Sequence, residues 1–162
     1  MRFHLIAPAI AGLVVVLDQL SKAEILALMD PPRIVPVTGF FNLVLTYNRG
    51  VSFGFLGQDA QDWQRYALAA LAVAVSIGLF VWLARDWSRL RTAAVGLVAG
   101  GALGNAIDRL RFGGVVDFLD FHLAGWHFWA FNLADSAISL GVALLLWDAL
   151  FAGRQSGNRN GP

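Results

Sequence analysis

The chain has no cysteine. That excludes disulfide staples, a thiolate nucleophile, zinc–thiolate sites and iron–sulfur chemistry. Charge is scarce as well: charged residues make up 14% of 162, and they nearly cancel to a net +1. Typical soluble domains carry roughly 25% charge, and a small globule cannot cover its relatively large surface with so little. A balance this near zero offers no basic footprint for nucleic acid. There is a single lysine, Lys22. His4, His122 and His127 show no metal-ligand spacing, and no H-E-x-x-H helix exists, so neither metal nor cofactor is expected. What the chain has in excess is apolar surface, 57% of residues against roughly 45–50% in soluble proteins. This is the composition of a membrane protein.

Four apolar runs, about 5–29, 66–84, 92–109 and 133–152, are each long enough to cross a hydrocarbon core of ~30 Å. The first reads as a span and not as a cleaved signal peptide, because charged Asp18, Lys22 and Glu24 follow its apolar part with no small-residue cleavage site between. Arg2, the cluster Arg85/Arg89/Arg91 and Arg154/Arg159 fall on one side of a four-span layout, which places that side and both termini in the cytoplasm. Segments 30–65 and 110–132 then face the periplasm, and residues 154–162 form a polar tail. Within 30–65, Ile34-Val35, Phe40–Tyr47 and Val51–Phe55 are short β-prone runs punctuated by Gly39, Asn48-Arg49-Gly50 and Gly57. The expected fold is an all-α membrane protein: one domain over 1–153, four transmembrane helices and a small β-rich platform at the periplasmic surface. Gly96, Gly100 and Gly104 recur every fourth residue, which makes the third span the closely packed centre.

Ionisable groups inside spans are costly and point to function. Asp18 and Lys22 stand at i, i+4 and share a helix face. Asn105, Asp108 and Arg109 share another. Topology brings these residues, with Asp117, Asn132 and Asp135, near one membrane face. Asp18 has Lys22 beside it and Asp108 has Arg109, so these read as structural ion pairs. Asp117 and Asp135 sit in apolar settings without a basic neighbour. Two carboxylates sharing a site cannot both ionise easily, so one would activate water while the other, protonated, polarises a peptide carbonyl. Each also has a plainer reading, Asp135 as a helix N-terminal acid and Asp117 as a turn residue. Asp30, Asp120 and Asp148 read as solvated interfacial charges, and Trp126 and Trp129 with nearby Phe residues as an interfacial aromatic belt. A Ser/Lys pair would need Ser52 or Ser136, since Ser21 points away from Lys22 on a helix.

Five ordered blocks carry a resemblance: Asp18-Gln19-x-x-Lys22, Asn48-Arg49-Gly50, Gly104-Asn105-x-x-Asp108-Arg109, Val115-Val116-Asp117-Phe118 and Phe131-Asn132-x-Ala134-Asp135. Over about residues 12–150 the chain resembles the bacterial lipoprotein signal peptidase family, signal peptidase II. Val51-Ser52 stands where relatives often have small alanines. The resemblance implies an aspartyl endopeptidase of the bacterial inner membrane that cuts diacylglyceryl-modified prolipoproteins just before the lipidated cysteine. It implies Asp117 and Asp135 as the catalytic pair, with Asp18, Lys22, Asn48, Arg49, Gly50, Gly104, Asn105, Asp108, Arg109, Asn132 and Ala134 in support. It also implies membrane lipids as partners and inhibition by cyclic peptides such as globomycin. Two other classes fit intramembrane acids. A proton-coupled transporter or channel subunit would place them near the midplane between repeated halves, and no repeat is visible. A non-catalytic scaffold built on the glycine stripe would tolerate changes at the acids.

Overall fold

The structure is a computed structural model that describes residues 3–29, 31–50, 59–85 and 88–151. Among these, four helices are long and apolar enough to cross a membrane. They are α1 (Phe3–Leu28), α2 (Asp59–Leu83), α3 (Arg89–Phe112) and α4 (Leu133–Phe151). The expected runs overlap these helices, with α2 and α3 beginning earlier; α1 carries Pro8 within it. The expected strand at Val51–Phe55, Asp30, Ser52 and the 154–162 tail lie outside the described residues.

Helix α3 is the hub. Its ends are set by local chemistry: the Ser88 hydroxyl accepts the Arg91 N–H at the start, and Gly113 closes the other end at φ 74°, a left-handed turn that a side chain would strain. Along its length, glycine lets neighbouring backbones come close. A Cβ on Gly96 or Gly100 would fall within 2.8 Å of backbone in α1, and one on Gly101 within 2.3 Å of the Ala134 carbonyl in α4. With no hydrophobic drive between helices in lipid, this close packing supplies the attraction.

Outside the helices, the described residues form a four-stranded antiparallel sheet in the order β1-β2-β3-β4, namely Val35–Thr38, Phe41–Asn48, Val115–Leu123 and Trp126–His127. Segment 30–65 alone does not build it, as the sequence reading assumed. Half of the sheet comes from 110–132, where Val-Val-Asp-Phe-Leu-Asp-Phe-His-Leu pairs with β2 from Phe41↔Phe121 to Asn48↔Val115. Strands β3 and β4 are joined by Ala124 (φ 49°) and Gly125 (φ 85°), the two positive-φ residues of a tight hairpin. The sheet packs onto the end of α1, where Ile25, Met29 and Phe118 form a buried cluster with Leu43, Leu45 and Leu133 around it.

Candidate active site

The polar residues named from sequence meet where the ends of α1, α3 and α4 reach β3. At the centre is Lys22, 2% exposed. Its ammonium has three hydrogens and three partners: Asp18 Oδ2 at 2.8 Å, Asp108 Oδ2 at 2.7 Å and Asn105 Oδ1 at 3.1 Å. Asp18 and Asp108 are fully buried, and both oxygens of each are hydrogen-bonded. The second Asp18 oxygen accepts the Ala134 N–H at 3.0 Å. Asp108 accepts the Val116 N–H at 3.1 Å and Gln19 Nε2 at 2.8 Å. A buried ion pair stabilises only when such extra hydrogen bonds satisfy its atoms, and here they also tie α1 to α4 and α3 to β3. Gly104 is small for this reason, since a Cβ there would lie 2.6 Å from Asp18 Oδ2.

Two sequence expectations are corrected. Asp108 pairs with Lys22 and not with its neighbour Arg109, whose Nη1 turns back to the Asn105 carbonyl at 3.2 Å. Consecutive helical residues point about 100° apart, so Asp108 faces the bundle while Arg109 faces its edge. Asp148 is not a solvated charge either: Arg91 Nε meets it at 2.5 Å. Trp126 and Trp129, expected in an interfacial belt, are 85% and 88% exposed.

From Lys22 the network passes through two asparagines to the two remaining acids. Asn132 caps α4: its Oδ1 accepts the Asp135 N–H at 2.9 Å, and its own N–H reaches Asp135 Oδ2 at 3.3 Å. That is a reciprocal capping box, so the plainer reading of Asp135 as an N-terminal helix acid also holds. The Asn132 amide donates to Asp117 Oδ1 at 2.7 Å. Asn105 Nδ2 donates to Asp135 Oδ1 at 2.8 Å. Asn132 therefore bonds both acids, one through its side chain and one through its backbone. Its position is held by Phe131, whose carbonyl accepts the N–H groups of Phe118 and Leu119 and whose N–H donates to Leu119.

Asp117 is 1% exposed, on a strand and not in a turn. Burial pushes its carboxyl up to about 6, and the nearby Asp135 charge adds to this. Hydrogen bonds from Asn48 and Asn132 and the Lys22 charge act in the opposite sense. Asp117 faces a cleft of about 450 Å³ lined also by Thr46, Tyr47, Asn48, Arg49, Gly50, Trp129 and Ala130. Gly50, in the cleft wall, takes φ 89° while its N–H bonds Asn48 Oδ1 at 3.0 Å. Among the described residues no cluster of His, Asp and Glu suited to a metal occurs.

These features define a polytopic membrane protein whose buried carboxylates gather at one end of the bundle beside an open cleft. The family model described as Signal peptidase (SPase) II matches residues 10–151. The lipoprotein signal peptidases of Burkholderia multivorans and Burkholderia vietnamiensis are 52% and 51% identical to the chain over 142 residues, 87% of this chain and 85% of each relative. Two solved bacterial membrane enzymes, determined in meso at 2.3 and 1.9 Å resolution, superpose with TM-scores of 0.77 and 0.78. They are 29% and 31% identical, with 96% and 90% of this chain and 93% and 92% of theirs covered. The chain belongs to the signal peptidase II family, and so to a family of membrane peptidases.

Proposed function

We propose that the chain is an aspartyl endopeptidase of the bacterial inner membrane that removes signal peptides from diacylglyceryl-modified prolipoproteins, cutting just before the lipidated cysteine. The observation that carries this reading is the joint hold of Asn132 on Asp117 and Asp135 beside a cleft at the end of the spans. A signal-peptide helix in the bilayer ends at that depth, and its diacylglyceryl chains, remaining in lipid, keep the cysteine there. With both termini cytoplasmic, the cleft opens at the periplasmic face.

The raised Asp117 carboxyl carries the proton of the active form, held below about pH 6. Asp135 sits in the first turn of α4, where negative charge is favoured, and is the base. Asp135 takes a proton from water as the water oxygen bonds the peptide carbon, while the Asp117 proton polarises the carbonyl oxygen. When the C–N bond breaks, the Asp117 proton goes to the leaving nitrogen. The pair ends with the one proton it began with, now on Asp135. Arg49, in the cleft wall, or Arg109 contacts the substrate backbone or the lipid ester.

The test uses the purified protein in lipid with a fluorogenic diacylglyceryl prolipoprotein peptide. Wild type cleaves it and is inhibited by globomycin, and the unlipidated peptide is cut poorly. Asp117→Asn and Asp135→Asn lose activity by about 10³-fold or more while remaining folded. Full turnover in either variant sinks the assignment, and carboxylate-dependent ion flux without cleavage would favour a transporter instead.

A further inference from the structure

Asp120 was read from sequence as a solvated charge, yet it is 6% exposed. It lies three residues beyond Asp117 on β3, so it points to the opposite face of the sheet. There it is held from both flanking strands. Asn42, directly opposite on β2, donates to Oδ2 at 2.8 Å. His127, diagonally across on β4, places Nδ1 3.0 Å from both oxygens, and its ring stacks on His122 at 5.1 Å. Burial would push the Asp120 carboxyl up, but the hydrogen bonds from Asn42 and His127, with the imidazoles of His127 and His122, hold it below the ordinary carboxylate value. The cluster thus keeps its anion at neutral pH.

A register break in β2 makes this arrangement compatible with the active site. Asn42 and Asn48 are an even number of residues apart and would share one face of a regular strand. Asp120 and Asp117, their respective partners, do not share a face. Between Leu43↔Leu119 and Thr46↔Asp117, β2 spends one residue more than β3. That bulge turns Asn48 to the Asp117 face while Asn42 stays with Asp120, a re-aiming of the kind bulges produce.

What the cluster holds is the two-residue strand β4, and from His127 the chain runs directly to the active site. The Phe128 N–H bonds the Phe121 carbonyl at 2.7 Å, Trp129 and Ala130 form part of the cleft wall, Phe131 is stitched to β3, and Asn132 follows. We propose that Asn42, Asp120 and His127 form a clamp that positions segment 127–132, and through it the cleft wall and Asn132, for the reaction. None of the three lines the cleft, so all act as positioning residues. This rests on the reading of Asp117 and Asp135 as the reacting pair.

The experiment compares kcat, KM and the pH profile of Asp120→Ala and His127→Leu with those of Asp120→Asn and His127→Gln, which keep a hydrogen-bonding group. Wild type and Asp117→Asn are run beside them on the lipidated peptide. The Ala and Leu variants should lose about tenfold in kcat/KM, since small misplacement of a reacting group is costly. The alkaline limb of their kcat/KM profile should move to higher pH, because Asn132 no longer donates firmly to Asp117. The Asn and Gln variants should recover most of both losses. If Asp120→Ala does not fold, the His127 pair decides, since that side chain is 56% exposed. Wild-type kinetics and pH limb in His127→Leu beside an inactive Asp117→Asn would overturn the clamp alone, as would Gln and Asn variants no better than Leu and Ala. Turnover by Asp117→Asn would overturn the reacting pair and the clamp with it.

Discussion

Helices α2 and α3 invert the rule of soluble proteins. The most apolar stretch of α2 has a mean hydropathy of 2.3, yet only 17% of it is buried within the protein. That of α3 averages 1.3, and 61% is buried. In water the apolar helix would be the core. In lipid an apolar side chain gains little by leaving the acyl chains, so Leu71, Val75, Ile77 and Val81 stay on the outside. The interior goes to residues with another reason to be there: glycines that allow close approach, and charged groups that lipid would penalise. Cohesion in this bundle comes from α3's backbone contacts and its polar end.

Substitutions can break that contrast or sharpen it. The largest effect on stability should come from Lys22→Ala, which leaves Asp18 and Asp108 buried together without their cation. We expect a loss of about 3–5 kcal/mol, read as a lower midpoint of thermal unfolding in lipid or detergent, with some turnover remaining at low temperature. Next is Gly101→Ala, whose methyl group meets the Ala134 carbonyl and should cost about 1–3 kcal/mol. Gly12→Ala, with nothing within 4 Å, should be silent in the same assay. Asp117→Asn should move in the other direction. Asp117 binds its proton more tightly folded than unfolded, so its stabilising effect is complete below the ordinary aspartate value and is lost as pH rises through about 6. A variant that cannot ionise should therefore unfold at a higher temperature than wild type above pH 6, by roughly 1–3 kcal/mol, and gain nothing in acid. The same proton should give kcat/KM an alkaline limb near about 6, with the limb of kcat higher because bound substrate buries the acid further. Small effects belong to α2 as well: Leu71→Ala or Val75→Ala on the lipid face should stay within about 0.5 kcal/mol. A loss there as large as that of Gly101→Ala would break the contrast.

Much of this was legible in the chain, unevenly. The spans, the glycine stripe and the Asp18–Lys22 pair follow from period and length, which depend on local geometry. Asp117 and Asp135 stood out because each acid sits in apolar sequence with no base nearby. Sequence adjacency misleads where a partner comes from another element. Asp108 was given to Arg109 by adjacency, but helical geometry hands it to Lys22. Asp148 looked solvated because Arg91 is 57 residues away. Asp120 was misjudged because β3 was not recognised as a strand, although its run of Val, Phe and Leu was a usable signal. With β3 in place, Asn42 and His127 would have been natural partners. Asn48 was named, but the β2 bulge that aims it at Asp117 leaves no mark on composition.

The bond from the Ala134 N–H to Asp18 spans 116 positions of the chain. Asp117, Asn132 and Asp135 are all made late in synthesis, whereas Asp18, Lys22 and Asn48 are made early. Chains emerge from the ribosome N-terminus first, so a partly translated chain holds the sockets but not the acids. On the proposed assignment of Asp117 and Asp135, hydrolytic capacity would arrive only when the last helix docks, and the nascent protein would stay inert until it is nearly finished.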